Sequence, residues 1–313
     1  MELVEIGKSV LTTCMDVKAG ESVLVITDDK KYPIGSALYE AAKELGADAL
    51  LVTMKPRAVS GQEPPAAIAA AMAKADVVLC PMSTSITHTN AKKEAVKAGV
   101  RIATMPGITE EMFRKGAMTA DYGRVMELTN KVTELLTKAK TARIEKAGHI
   151  LTLDLNGRPG IPSPGVYREK GQAGNLPSGE AYIAPIENGS NGTMLIDGSM
   201  VGVGLLSSPL TVTVKNGKLQ SIEGADADKL SILLRNESNR TLCELGIGTN
   251  YAAQLIGVIL EDEKAYHTVH IAFGTNNGFG GTNKADCHMD GIIKDPTLYL
   301  DEQLVMKDGE FMI

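Results

Sequence analysis

"ESVLVITDDKKYPIGSALYEAAKELGADALLVTM", residues 21–54, decides how the chain begins to fold. "ESVLVITD" is a compact apolar run of strand type, "IGSALYEAAKELG" has a helical pattern that stops at Gly46, and "DALLVTM" is a second short apolar run. Runs with no polar face are those of strands covered on both sides. The alternation continues downstream. "PPAAIAAAMAKA" is helical, with prolines at its start where a missing N–H is tolerated, and "DVVLCPM", "NAKKEAVKAG" and "VRIATMPG" follow as strand, helix and strand. This βαβα order predicts a largely parallel sheet covered by helices. Thr109 to about Lys140 reads as one long helix.

From about residue 147 the pattern changes. "HILTLDL" alternates, "GRPGIPSPG" is a turn-rich loop, and "LTVTVKNGKLQSIEG" is a hairpin with Asn216-Gly217 at its turn. "ADADKLSILLRNES" reads as a helix capped by an aspartate, and "TVHIAFG" and "LYLDEQLVMKDGEFMI" as strands. The fold class expected is α/β: a parallel α/β domain over residues 1–145, then a β-rich α+β domain over residues 146–313. A chain of 313 residues is long for one domain and comfortable for two.

Composition narrows the function. The net charge of -6, the absence of Trp and the 4% aromatic content exclude a nucleic-acid interface, which needs basic patches and stacking platforms. The largest basic cluster, Lys138, Lys140, Arg143 and Lys146, sits near the end of the long predicted helix, where cations complement its dipole. Cys14, Cys80, Cys243 and Cys287 form no CxxC pair, which suits a reducing cytoplasm. Glu2 and Glu5 stand where a signal peptide needs positive charge, and no apolar run is long enough to cross a bilayer. A soluble cytoplasmic protein with no membrane partner is expected.

The chemistry gathers in the second half. In "GTNKADCHMDGIIK" (281–294) His288 and Asp290 are two apart, so in an extended segment both side chains share one face. A hydrogen-bonded pair at a strand end and a metal-ligand pair both fit that spacing. Glu180 follows a Pro-Ser-Gly turn in "GNLPSGEAYIAP", and Glu244 lies among apolar residues and glycines in "TLCELGIGTN". "EDEKAYHTVHIAFG" holds Glu261, Asp262, Glu263, His267 and His270. At least two of its three acids read as a solvated turn, and His267 as equally an exposed residue. Unpaired carboxylates in apolar settings are costly, and one cation would account for several of these residues together. "GTNNGFGGTN" (274–283) is glycine-rich, but no helix pattern follows to supply amides for phosphate, so it reads as flexible backbone beside the site. His88 follows a predicted strand, but Thr87, Thr89 and Asn90 around it make a good helix cap.

"GNLPSGEAYIAPIENGSNGT", "CELGIGTN", "DEKAYHTVHIAFG", "GGTNKADCHMDG" and "KDGEF" together resemble the C-terminal domain of the thermophilic aminopeptidase T-like metallopeptidases. That superfamily also includes the 2,5-dihydroxypyridine 5,6-dioxygenases. The resemblance covers residues 171–313 in order, and the first half more loosely. It implies a metal-binding second domain with Glu180, Glu244, Glu263, His270, His288 and Asp290 as ligands, and a homodimer. The spacing from Glu263 to His270 is longer than in the family. The peptidases of that superfamily also carry a tyrosine a few residues after the His270 position, where this chain has Asn277.

Two enzyme readings follow, with a non-catalytic metal- or ligand-binding relative as a third. The first is an aminopeptidase-like hydrolase, in which two divalent ions (Zn, Co or Mn) activate a water against a short peptide or other small molecule. The acids beyond a triad favour it, and the residues moving protons stay unassigned. The second is a ring-cleaving dioxygenase with one Fe(II) on His270, His288 and Asp290, acting on a dihydroxypyridine-like substrate; the shortage of aromatics counts against it.

Overall fold

The computed structural model describes residues 2–313 and divides into two compact units. One comprises the chain up to Met126 together with Gly165–Ser178; the other comprises Glu127–Pro164 and Gly179–Ile313.

In the first unit, strands Ser22–Asp28, Asp48–Met54, Val77–Met82 and Arg101–Pro106 form the expected parallel sheet. Helices Tyr32–Glu44, Ala66–Met72 and Asn90–Lys97 alternate with them. Val77–Met82 is buried throughout, as an all-apolar central strand requires. Asp48–Met54 departs from that expectation. It is an edge strand whose burial alternates, leaving Leu50 52% exposed.

The segment from Thr109 is not one helix. It breaks into Glu110–Arg114, a 3-10 turn at Ala117–Thr119, and Tyr122–Lys138. Extended Gly116 and Ala120 interrupt it, and Asp121 restarts it by accepting the Gly123 N–H at 2.9 Å.

The second unit carries two antiparallel sheets. The larger has eight strands in the order Lys218–Glu223, Leu210–Lys215, Asn191–Ile196, His149–Asp154, Thr141–Lys146, Thr297–Leu300, Gln303–Lys307 and Glu310–Phe311. The Asn216-Gly217 hairpin forms as read, with both residues at positive φ (49° and 69°). A Cβ at Gly217 would also lie 1.8 Å from the Glu187 carbonyl oxygen, so only glycine fits there. The helix Ala227–Leu233 forms, but Asp226 makes no side-chain cap bond to it.

The smaller sheet has seven strands; its centre is His288–Lys294, Thr268–Gly274, Leu242–Gly248 and Glu180–Ile183, all antiparallel. Apolar side chains of both sheets, among them Ile144, Leu153, Leu245, Ile247, Ile271 and Phe273, share one core.

The expected boundary at 145/146 is displaced in two ways. Val132 and Leu136 pack into the core of the second unit, and Thr141–Lys146 pairs with Thr297–Leu300 there. Ala173–Asn175 instead adds a parallel strand to Arg101–Pro106, returning Gly165–Ser178 to the first unit.

Candidate metal centre

Strand periodicity builds the site. In Thr268–Gly274 the odd residues Val269, Ile271 and Phe273 enter the core, which sends His270 and Ala272 to the opposite face. Register aligns the neighbours. Gly246 faces His270, Glu244 faces Ala272, Asp290 faces Ala272 from the other side, and Glu180 faces Gly248. The small residues between the charged ones decide how closely those approach. A Cβ on Gly246 would sit 2.0 Å from His270 Nε2, so the imidazole lies over a bare glycine.

All six predicted ligands meet on this face. His270 Nε2 is 3.5 Å from Glu244 Oε1 and 3.5 Å from Glu180 Oε2. His288 Nε2 is 3.1 Å from Glu244 Oε2 and 3.3 Å from Asp290 Oδ1. Two donor groups result, Glu244–His270–Asp290 and Glu180–Glu263–His270, each able to offer atoms within 4.8 Å of one another. His267 stays outside: half exposed, it lies 3.3 Å from Glu310 Oε1. His88 is no part of the cluster either; Thr89 next to it caps the helix Asn90–Lys97 by accepting the Lys92 N–H. The acids Glu261 and Asp262 are not solvated, as expected of them, but fully buried. Glu261 accepts the Gln254 N–H, and Asp262 accepts from Ser199 Oγ and the Ile256 and Gly257 amides, so both pin a loop.

The electrostatics favour positive charge. Burial alone would raise Glu244, but the imidazoles of His270 and His288 outweigh it and bring the carboxyl down to about 2. Burial would lower His270, yet Glu244, Glu180 and Asp290 push it up to about 9. His288 is raised likewise, above all by Asp290. Glu263 is pushed up to about 7, by burial first, with Glu180 and Asp290 adding to it against the pull of Lys264.

A divalent cation fits this donor set. Both ring nitrogens of His270 and Oε2 of Glu180 are buried without a well-formed hydrogen bond, and leaving such groups unsatisfied is costly. His288 Nδ1 lies 2.9 Å from the Thr275 carbonyl oxygen. Donating there fixes its proton and leaves the Nε2 lone pair aimed at the carboxylates, the orientation that metal-ligating imidazoles use.

Three contributors escaped the sequence reading. Lys264, only 1% exposed, donates to Glu180 Oε1 at 2.5 Å and to Glu263 Oε1. Tyr182, opposite Gly246, and Phe279, from the glycine-rich loop, meet edge to face with centroids 5.5 Å apart, and Phe279 also packs 5.8 Å from the His288 ring. Asn277 is exposed, and its Oδ1 accepts from Thr275 Oγ1. Strand alternation in "EAYIAP" could have placed Tyr182 on the same face as Glu180; Lys264 and Phe279 carry no such signal.

Fold and site together define an α/β protein with a candidate divalent-metal centre on an antiparallel sheet. Over residues 2–313 the chain matches the NicX family, 2,5-dihydroxypyridine 5,6-dioxygenase, and it belongs to that enzyme family. A 2,5-dihydroxypyridine 5,6-dioxygenase of Pseudomonas putida (strain KT2440) is 24% identical over 262 residues, 77% of this chain and 72% of that protein. The solved structure of 2,5-dihydroxypyridine dioxygenase from Pseudomonas putida KT2440 matches with a TM-score of 0.82 at 22% identity, covering 99% of this chain and 96% of that one. Wild-type AmpT from Thermus thermophilus matches with a TM-score of 0.72 at 18% identity, covering 100% and 99%.

The superfamily read from the motifs is therefore the right one, and the family match falls on its dioxygenase side. Among the comparisons, the hydrolase reading, placed first from the sequence, has only the likeness of fold to AmpT. Among the described residues, no helix is long and apolar enough to cross a membrane.

Proposed function

We propose that the chain is a ring-cleaving dioxygenase with one ferrous ion on His270, His288 and Asp290, acting on a dihydroxylated pyridine-like ring such as 2,5-dihydroxypyridine. The observation that carries this reading is the aromatic wall. Phe279 stands edge-on to Tyr182 and to the imidazole of His288, so a flat ring reaching the centre meets aromatic surface beside a ligand. The chain is poor in aromatics overall, yet two of its twelve Phe and Tyr residues are placed here. Family membership supports the reaction class.

Bound at that triad, ferrous iron would supply open coordination positions for a ring hydroxyl and for dioxygen. The protein's own residues hold the geometry. The Thr275 carbonyl fixes the tautomer of His288, and Gly246 gives the His270 ring its place. Phe279 and Tyr182 would offer the substrate ring aromatic surface beside His288. A two-metal hydrolase remains as a second reading because Glu180, Glu263 and His270 form a further donor group.

The test loads the protein anaerobically with Fe(II), adds 2,5-dihydroxypyridine, and admits oxygen. Loss of the ring absorbance with one oxygen consumed per ring is expected. Absence of oxygen uptake, together with release of amino acids from aminoacyl substrates by Zn-, Co- or Mn-loaded protein, would overturn the reading.

A further inference from the structure

Of the two donor groups that share His270, one already holds a cation, and it is part of the chain. We infer that the ammonium of Lys264 takes the place of a second metal ion, so that the centre accepts a single divalent ion. Lys264 Nζ lies 2.5 Å from Glu180 Oε1 and in direct contact with Glu263 Oε1, the two carboxylates that would anchor an ion in the second group. Lysine is rarely buried unless paired, and this one is 1% exposed with both carboxylates as partners.

Its position is built by the backbone around it. The Lys264 N–H donates to the Glu261 carbonyl, and its own carbonyl accepts the Asn250 N–H. A Cβ on Gly248 would come within 2.0 Å of the Ala265 carbonyl oxygen and 2.9 Å of the Lys264 carbonyl carbon. Glycine at 248, the register partner of Glu180, therefore lets this segment lie against the strand and carry the ammonium to the glutamate.

Charge counting agrees. Glu180 and Glu263 are balanced in part by one ammonium, and a divalent ion could enter only by expelling a buried positive group from its two partners. On the other side of His270, Glu244 and Asp290 have no such lysine among the ion pairs of the described residues; their partners are imidazoles. His270 Nε2 lies 3.5 Å from Glu180 Oε2 and 3.5 Å from Glu244 Oε1, between the two groups. Two of the acids beyond the triad that favoured two ions in the sequence, Glu180 and Glu263, thus have a second use as the cradle of Lys264.

This inference rests on the metal-binding part of the reading above and not on the reaction. The test counts ions. Parent protein, Lys264→Met and Lys264→Gln are each incubated with excess Mn(II) or Zn(II), desalted, and analysed for metal per folded chain, folding being checked by a cooperative thermal melt. One ion in the parent and two in the variants are expected. A parent with two ions overturns the inference alone, as do folded variants that stay at one. A parent with none overturns the metal reading and this inference together. Should both variants fail to fold, a Co(II) titration of the parent decides: saturation at one equivalent supports the inference and saturation at two overturns it.

Discussion

At the scale of single residues, absence of a side chain matters as much as presence. Gly246 is a residue that touches nothing reactive, yet His270 occupies the volume its Cβ would fill. Gly246→Ala is expected to displace that imidazole and weaken divalent-metal affinity by about 10–100-fold, the range typical of residues that orient ligands. Overpacking should add about 1–3 kcal/mol of instability. A chelator-competition titration beside a urea melt reads both, and unchanged affinity would refute the role given to Gly246. His288 and Asp290 were legible because spacing of two in a strand is a direct statement about faces. Lys264 was not. Beside three acids it reads as one more member of a solvated charge run, and only the path of the backbone takes it inside.

At the scale of elements, the glycine-rich loop after Thr268–Gly274 is held by one carboxylate. Glu187 Oε1 accepts the Thr282 N–H at 2.6 Å and an Asn276 Nδ2 hydrogen at 3.2 Å, while Arg158 donates to Glu187 Oε2 at 2.6 Å and to the Gly280 carbonyl. Partial burial would raise the Glu187 carboxyl, but the Thr282 amide, Arg158 and Asn276 outweigh it and hold it below the ordinary 4.5. A lowered value means that this anchor is fully present above the unfolded value and is lost as pH falls through the folded one. Amide exchange over residues 276–283, corrected for intrinsic rates, should therefore stay slow from neutral pH down to about 4.5 and speed up below it. Glu187→Gln should be fast throughout; slow exchange in that variant would refute the anchor. The sequence showed flexible glycines here because it lists local preference. The long-range clamp from residues 158 and 187, which aims Phe279 at His288, leaves no local signature. Strand types and the Asn216-Gly217 turn were legible for the opposite reason, each being set by neighbours in the chain. The exposed edge at Asp48–Met54 depends on strand order, which apolar runs do not encode.

At the scale of the whole molecule, the units are interleaved along the chain, and cutting at 145/146 would remove a strand from the middle of the eight-stranded sheet. Residues 146–313 alone are expected to lack a cooperative melt. Residues 127–313 with 165–178 replaced by a short turn are expected to fold, since Ser163 pairs with Glu180 and the Gly179 N–H donates to the Ser163 carbonyl at 3.0 Å. Calorimetry of the two fragments checks this, and a cooperative melt of 146–313 would contradict it. The same interleaving bears on synthesis. Thr141–Lys146 receives its second neighbour from residues 297–300, which leave the ribosome more than 150 residues later. Until then a nascent chain carries an open strand edge, the kind of surface that recruits other chains. Translation that stops before those last strands would leave that edge bare, so prematurely ended products should clump and call on chaperones even though the missing tail holds none of the proposed ligands.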